Sequence, residues 1–241
     1  MPLTRDGDPI GELVPGWTPP PRPERASIVG RYCRLEPLDP QAHARELWEA
    51  NALDATGRNW TYLGSEPFKT FEEYQAWLAK MAAGIDPFFY ALLIPDGDAY
   101  RAAGVASYLR IAPEAGSIEV GHINFSPLLQ RTRAATEAMY LMMRYAFDLG
   151  YRRYEWKCDA LNAPSRNAAQ RFGFSYEGVF RQALVYKGRN RDTAWYAMID
   201  KEWLRLRAAY EKWLDPSNFD AEGRQRVALK RLTSPILVAR G

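Results

Sequence analysis

The chain has 241 residues, 47% hydrophobic and 25% charged, which suits one globular domain with appendages and excludes a disordered or fibrous protein. Its longest apolar runs, such as Phe88 to Ile94, fall far short of the roughly 18 residues of a membrane helix, and Pro2 to Gly16 is too polar and proline-broken for a signal peptide, so a cytoplasmic chain is expected. Two cysteines, Cys33 and Cys158, and two histidines, His43 and His122, argue against a disulfide framework or a metal site, while the net charge of +3 hides a segment, Arg131 to Arg191, with 12 Lys and Arg against 5 Asp and Glu.

Seven of the 17 prolines lie in the first 30 residues, including Pro19, Pro20, Pro21 and Pro23, which predicts an extended arm over residues 1–30. Arg31 to Leu38 reads as a strand and Gln41 to Leu53 as a helix, with Ala44, Leu47, Trp48 and Asn51 at helical spacing. Thr70 and Glu73 form a capping-box pattern opening a helix through Tyr74, Trp77, Leu78 and Met81. Phe88 to Ile94, Gly104 to Ile111 and Ser117 to Phe125, separated by turn clusters, predict an antiparallel meander. Ala135, Met139, Met142, Ala146 and Leu149 then mark one face of a long helix closed by Gly150. Arg153 to Cys158 alternates as a half-buried strand, Asn162 to Arg171 is a short helix ended by Gly173, and a hairpin follows, Val179 to Tyr186 with Arg191 to Ile199. Trp203, Leu206, Tyr210 and Trp213 form a last apolar stripe before a basic tail with helical character near Val227 to Leu232. The sum is an α/β (α+β) fold, a mixed and largely antiparallel twisted sheet of about seven strands with helices on both faces.

The basic excess between Arg131 and Arg191 suits an anion: a phosphorylated cofactor, a nucleic-acid backbone or solvent. Between the strand ending at Ser126-Pro127 and the helix after it, Gln130, Arg131, Thr132, Arg133, Ala134, Ala135 and Thr136 form a short loop running into a helix start. Unpaired N–H groups, the helix dipole and two arginines together make a plausible pyrophosphate cradle there, or an ordinary arginine-bearing surface loop.

In this order of elements the chain resembles the GNAT superfamily of acetyl-CoA-dependent N-acetyltransferases, in particular the branch of the ribosomal-protein N-terminal acetyltransferases. The carrying residues are Gln130 and Ala135 with Thr136-Glu137-Ala138, Glu119-Val120-Gly121, and Asn162, Ser165, Gly173 and Phe174, over about Arg31 to Asp200. Arg131 and Arg133 stand where the family favours glycine, which lets a backbone approach phosphate closely. Three arrangements are open: arginines clasping the phosphates, arginines folded outward, or a lost site.

The resemblance implies acetyl-CoA as co-substrate, no metal, and direct acetyl transfer to an amine, either a protein N-terminus or a small molecule. It places the acetyl oxygen at backbone N–H groups near Ile123, Asn124 and Phe125, with Asn162 and Ser165 also on the cofactor. Glu119 is the expected base and Ser165 the partner of the sulfur, because the tyrosine that many members use as acid is replaced by Ala169. His122, suited by its intrinsic pKa, is the other candidate base, but strand alternation puts Glu119 and Gly121 on one face and Val120 and His122 on the other, so the two are not expected to line the site together, and Glu119 is preferred. By the same resemblance Trp60 and Tyr62 would wall the amine pocket. The contrasting functions are a catalytically silent acyl-CoA-binding module and, less favoured, nucleic-acid binding through Arg224, Arg226, Lys230, Arg231 and Arg240. The terminal stripe is expected to pack on the domain or on a second subunit, giving a possible homodimer.

Overall fold

A computed structural model describes residues 1–241. Eight strands form one sheet in the order β1-β2-β3-β4-β5-β6-β8-β7. They are β1 (Ile28–Val29), β2 (Arg34–Pro37), β3 (Phe88–Asp96), β4 (Ala99–Ala112), β5 (Ser117–Phe125), β6 (Arg153–Asp159), β7 (Ser175–Tyr186) and β8 (Arg189–Ile199). The helices are α1 (Pro40–Ala52), α2 (Phe71–Ala82), α3 (Arg133–Asp148), α4 (Ala163–Arg171), α5 (Asp200–Leu214) and α6 (Leu229–Thr233). The eighth strand is the short β1, at the end of the proline-rich arm and antiparallel to β2. The hairpin strands are longer than the sequence pattern indicates, since β7 begins at Ser175, on residues too short or too polar to read as a strand alone.

Every neighbouring pair is antiparallel except β5 and β6, which run parallel because α3 crosses between them. On one face α1 and α2 cover the N-terminal strands, burying Leu47, Trp60, Tyr74 and Leu78 against Phe89, Ala91 and Val105. On the other, α3 lies in a core that reaches from Tyr90 and Tyr108 to Tyr154, Trp156 and Phe174. α3 is buried from Ala134 to Met143, because α5 covers the side that the sheet does not. Trp203, Leu206, Tyr210 and Trp213 of α5 join that same core, so the terminal apolar stripe is covered within the chain. Each such side chain contributes about 1.5–3 kcal/mol by leaving water.

Caps account for the helix starts. Asp39, Thr70, Thr132 and Asn162 each accept a backbone N–H of the first turn of their helices. At α2 the reciprocal half of the capping box is displaced by one residue: Glu73 accepts from the Lys69 N–H at 3.1 Å rather than from Thr70. The end of the arm is tied down, with Glu24 N–H donating to Tyr145 Oη at 3.0 Å and Arg25 donating to the carbonyls of Ala82 and Gly84. Part of the tail's positive charge is neutralised locally, since Arg224 pairs with Asp220 and Glu222.

Candidate active site

The parallel pairing of β5 with β6 stops at Val120 and Trp156. Beyond it β5 continues on β4 alone as far as Phe125, and β6 on β8 alone as far as Asp159. A wedge therefore opens between two strands that remain hydrogen-bonded on their outer sides. The segment between α1 and α2 crosses its mouth. Asn59 Nδ2 donates to the Phe125 carbonyl at 3.1 Å, Tyr62 Oη to the Leu161 carbonyl at 3.2 Å, and Lys187 Nζ to the Trp60 carbonyl at 2.7 Å. Trp60 is the exception to its expected role: its indole turns into the aromatic core with Phe68 and Trp77 and is 4% exposed, so it supports this segment rather than walling a pocket. Tyr62 stays half-buried over the wedge.

At the wedge's open end the chain turns tightly. The N–H groups of Leu129 and Gln130 both donate to the Ser126 carbonyl, and Arg131 takes a left-handed conformation with φ 61°. Thr132 then caps α3 by accepting from the Ala135 N–H at 3.1 Å. The N–H groups of Arg133 and Ala134, first in the helix, have no intrahelical carbonyl to meet. Gln130 Nε2 bridges Asn59 Oδ1 and the Phe125 carbonyl, each at 2.8 Å. The arginine side chains do not block these amides. Arg133 folds outward, its guanidinium 4.3 Å from the Phe219 ring centroid and 5.1 Å from that of Tyr32, and Arg131 is exposed. Arg131 thus adopts the backbone shape that glycine would supply at less strain, a cost of order 1–3 kcal/mol.

On the α4 side, Asn162 Oδ1 accepts from the Ser165 N–H at 3.1 Å, and Ser165 Oγ accepts from Trp156 Nε1 at 3.0 Å. With that oxygen already accepting, the Ser165 hydroxyl proton is left to donate elsewhere. Burial pushes the neighbouring Cys158 thiol up, so it stays protonated and a poor nucleophile. Tyr186, the tyrosine at the tip of the hairpin, donates to Asp159 Oδ2 at 2.8 Å; burial and that contact push it up to about 12.

The sheet face on the α1 and α2 side carries a ladder of charge. Arg110 Nη1 meets both Glu119 oxygens at 2.9 and 2.8 Å, and Lys157 Nζ lies 2.8 Å from Glu119 and 2.7 Å from Glu155. Arg153 then joins Glu155 to Glu177. Burial alone would raise Glu155, but Lys157 and Arg153 outweigh it and hold the carboxyl below its ordinary value. Glu119, the expected base, is 3% exposed and has both oxygens committed to cations. That geometry gives it an ion-paired role on the strand.

Alternation along β5 fails at His122, which has φ 49° and lies where β5 gains one residue over β4 between Gly121 and Asn124. The bulge turns His122 to the Glu119 face, where Nδ1 is 2.8 Å from Ser107 Oγ and the ring is 5.1 Å from Phe89. Arg110 repeats the device on β4 with φ 47°, which delivers its guanidinium to Glu119. Two alternation-breaking residues thus place cation and imidazole beside the wedge, and a single sequence carries no periodic signal for either.

The acetyltransferase (GNAT) domain family matches residues 33–175. The chain belongs to the GNAT acetyltransferase family. A GCN5-related N-acetyltransferase from Brucella melitensis is 48% identical over 91% of this chain and 99% of its own, with a TM-score of 0.88. A probable acetyltransferase of the GNAT family from Chromobacterium violaceum is 42% identical over 84% of this chain and 98% of its own, with a TM-score of 0.75. At 21% identity the likeness is one of fold: a Salmonella typhimurium acetyl transferase that modifies the N-terminal serine of ribosomal protein L7/L12 covers 72% of this chain and 99% of its own, with a TM-score of 0.61. Curated proteins provide no significant match. The eight-stranded mixed sheet of this GNAT acetyltransferase is the fold expected of the family.

The residues fit the family's co-substrate, acetyl-CoA. Phosphate oxygens suit the free amides of Arg133 and Ala134 next to the exposed Arg131. An amide-rich pantetheine arm suits the wedge, where Asn124 is 6% exposed and its Oδ1 is without a partner. No helix is long and apolar enough to cross a membrane.

Proposed function

We propose that this GNAT acetyltransferase transfers the acetyl group of acetyl-CoA directly to a primary amine, either a protein N-terminus or a small molecule. The observation that carries the reading is the wedge between β5 and β6. It has a helix-start amide cradle at one end and a polar, partly charged sheet face beside it. Bound there, acetyl-CoA would supply an activated acetyl thioester. The amides of Arg133 and Ala134, with the charge of Arg131, hold the pyrophosphate. The backbone of Ile123 to Phe125, freed from β6 pairing, offers N–H groups to the pantetheine and to the charge developing on the acetyl oxygen. Ser165, whose hydroxyl proton is turned toward the Cys158 sulfur in the free protein, donates instead to the departing sulfur, and Asn162 fixes Ser165 by capping α4. The ladder of Arg110, Glu119 and Lys157 holds the strands in register beside the reacting atoms, and Tyr62 closes the mouth over the acceptor.

The high thiol pKa of Cys158 favours direct attack over an acyl-cysteine route. Serine-initiated peptides belong among the first acceptors to try, given the activity named for the Salmonella enzyme of the same fold. The test is calorimetric titration with acetyl-CoA, followed by thiol release with Ser-, Ala- and Met-initiated peptides and with lysine, spermidine and an aminoglycoside. Micromolar binding with acceptor-dependent thiol release is the expected result. Binding without release on any acceptor would turn the reading toward a silent acyl-CoA module, and no binding would overturn it.

A further inference from the structure

We infer that His122 is the proton acceptor for the attacking amine, held by Ser107 as the tautomer with its proton on Nδ1. This rests on the acetyl-transfer reading above. Ser107 is fully buried on β4, and its hydroxyl donates to the Gly121 carbonyl at 3.2 Å. With the hydroxyl proton on the Gly121 carbonyl, the 2.8 Å contact between Ser107 Oγ and His122 Nδ1 is a donation from Nδ1–H, and this is the tautomer the proposal assigns. The lone pair is then on Nε2, which has no protein partner, and the residue is exposed beside the wedge, two positions past the last β5–β6 pairing. Phe89 packs on the ring and limits its rotation.

The surroundings keep that lone pair free. The strands packed against the ring contribute Phe89 and Ser107, neither of them charged at neutral pH, and Arg110 on β4. Glu119 on its own strand is bound to Arg110 and to Lys157 of β6, so no carboxylate is left to hold an imidazolium. Although an edge of the ring reaches solvent, desolvation by its neighbours, and secondly Arg110, lowers the His122 pKa below the ordinary imidazole value. A left-handed backbone at a non-glycine residue is the strain by which the bulge delivers the ring to this face.

The protons balance as follows. One proton of an R–NH3+ acceptor moves to His122 Nε2 and on to water. The nitrogen lone pair forms the bond to the acetyl carbon, the carbon–sulfur bond breaks with its electrons on sulfur, and the remaining excess proton on nitrogen ends on sulfur. His122 is a catalytic residue in this scheme and Ser107 a positioning residue.

The chain offers its own control, because it has only two histidines. His43 Nδ1 accepts from the Asp39 N–H at 3.1 Å and its Nε2 faces Glu36 at 3.2 Å, which sets the opposite tautomer. Long-range nitrogen–proton NMR of the full chain, with His43→Gln for assignment, should therefore show one histidine of each kind, His122 protonated on Nδ1. Ser107→Ala should erase that preference and lower kcat about tenfold with KM for acetyl-CoA unchanged. His122→Gln should bind acetyl-CoA as wild type does, lose at least a hundredfold in thiol release with a Ser-initiated peptide, and lose the His122 inflection from the acidic limb of its pH–rate profile, leaving only the titration of the acceptor amine. An Nε2-protonated His122 in the wild type, or a His122→Gln variant with wild-type rate and pH profile, would overturn the proposal. Failure of the wild type to bind acetyl-CoA would instead overturn the acetyl-transfer reading, and this role with it, whichever tautomer is seen.

Discussion

The two ends of the β5–β6 pair are built on opposite terms. At the closed end, where Ser117 to Val120 pair with Arg153 to Trp156, every charged group of the ladder has an opposite charge, from Arg110 through Glu119, Lys157 and Glu155 to Arg153. At and around the open end, Asn124 Oδ1, Ser126 Oγ and Thr193 Oγ1 are buried without partners, and His122 Nε2 has none either. Native interiors rarely leave buried polar atoms unpaired, and Tyr154 Oη and Arg152 Nε at the closed end lack hydrogen-bond partners too, so what sets the open end apart is that Asn124 and the exposed His122 sit where β5 has lost its pairing with β6. One end fixes the angle at which the strands part, and the other uses the space that the parting creates.

The comparison breaks most visibly at Lys157, which is 7% exposed and sits between Glu119 and Glu155. Lys157→Met keeps the stem and removes the charge. Two buried carboxylates then share only the peripheral arginines, and loss of one partner from a buried pair costs about 3–5 kcal/mol. In a chain of this size that corresponds to a fall in Tm of roughly 10 °C. Thermal unfolding of the purified variant measures it; a shift under 2 °C would mean that the closed end is not held by charge.

The open end should respond the other way. Asn124→Leu removes an unpaired acceptor without opening a cavity, so stability should stay within about 1 kcal/mol of wild type or rise. Acetyl-CoA affinity should fall about tenfold, read by the same titration that tests the function. A destabilised variant with unchanged affinity would show that Asn124 belongs to the scaffold.

This division also explains what the sequence could and could not reveal. The elements were legible where periodicity and caps agree: Thr70 opens α2, whose buried Tyr74 and Leu78 lie at the expected spacing, and Asn162 opens α4, whereas α3 is buried all round from Ala134 to Met143, beyond the one face its spacing marks. The loop from Gln130 to Thr136 was legible as a strand end followed closely by a helix start. What escaped was the consequence of irregular backbone. Alternation assigns His122 to the α3 face, and one bulge reverses it. Arg110 reaches Glu119 only because a second bulge turns it, so the commitment of Glu119 to ion pairs has no trace in the order of residues. Trp60 lies in the segment that crosses the wedge, but its ring points inward because Phe68 and Trp77 offer it a core. Glu137, within the Thr136-Glu137-Ala138 motif, serves neither loop nor substrate. It accepts the backbone N–H groups of Arg31, Tyr32 and Cys33 and so anchors the start of the domain to α3.

The smallest effect separates the two ends by pH. Glu155, at the closed end, is held below its ordinary value, so its stabilising contribution is complete above the unfolded carboxyl pKa, about 4.3, and is lost only as pH falls through the lower folded value. His122, at the open end, has the reverse consequence. Its folded pKa is depressed, so between that value and about 6.5 the unfolded chain binds more protons than the folded one. Stability must therefore decline as pH drops through this window, by well under the cost of the Lys157 substitution. Urea unfolding at pH 7.5, 6.5 and 5.5 should show that decline in the wild type, and His122→Gln should flatten it. His43→Gln controls for the second histidine, which is buried against Glu36. A slope that survives in His122→Gln would place the responsible group elsewhere in the fold and leave the open end neutral to protons. A slope that disappears would show that the imidazole beside the wedge is kept unprotonated at the expense of stability.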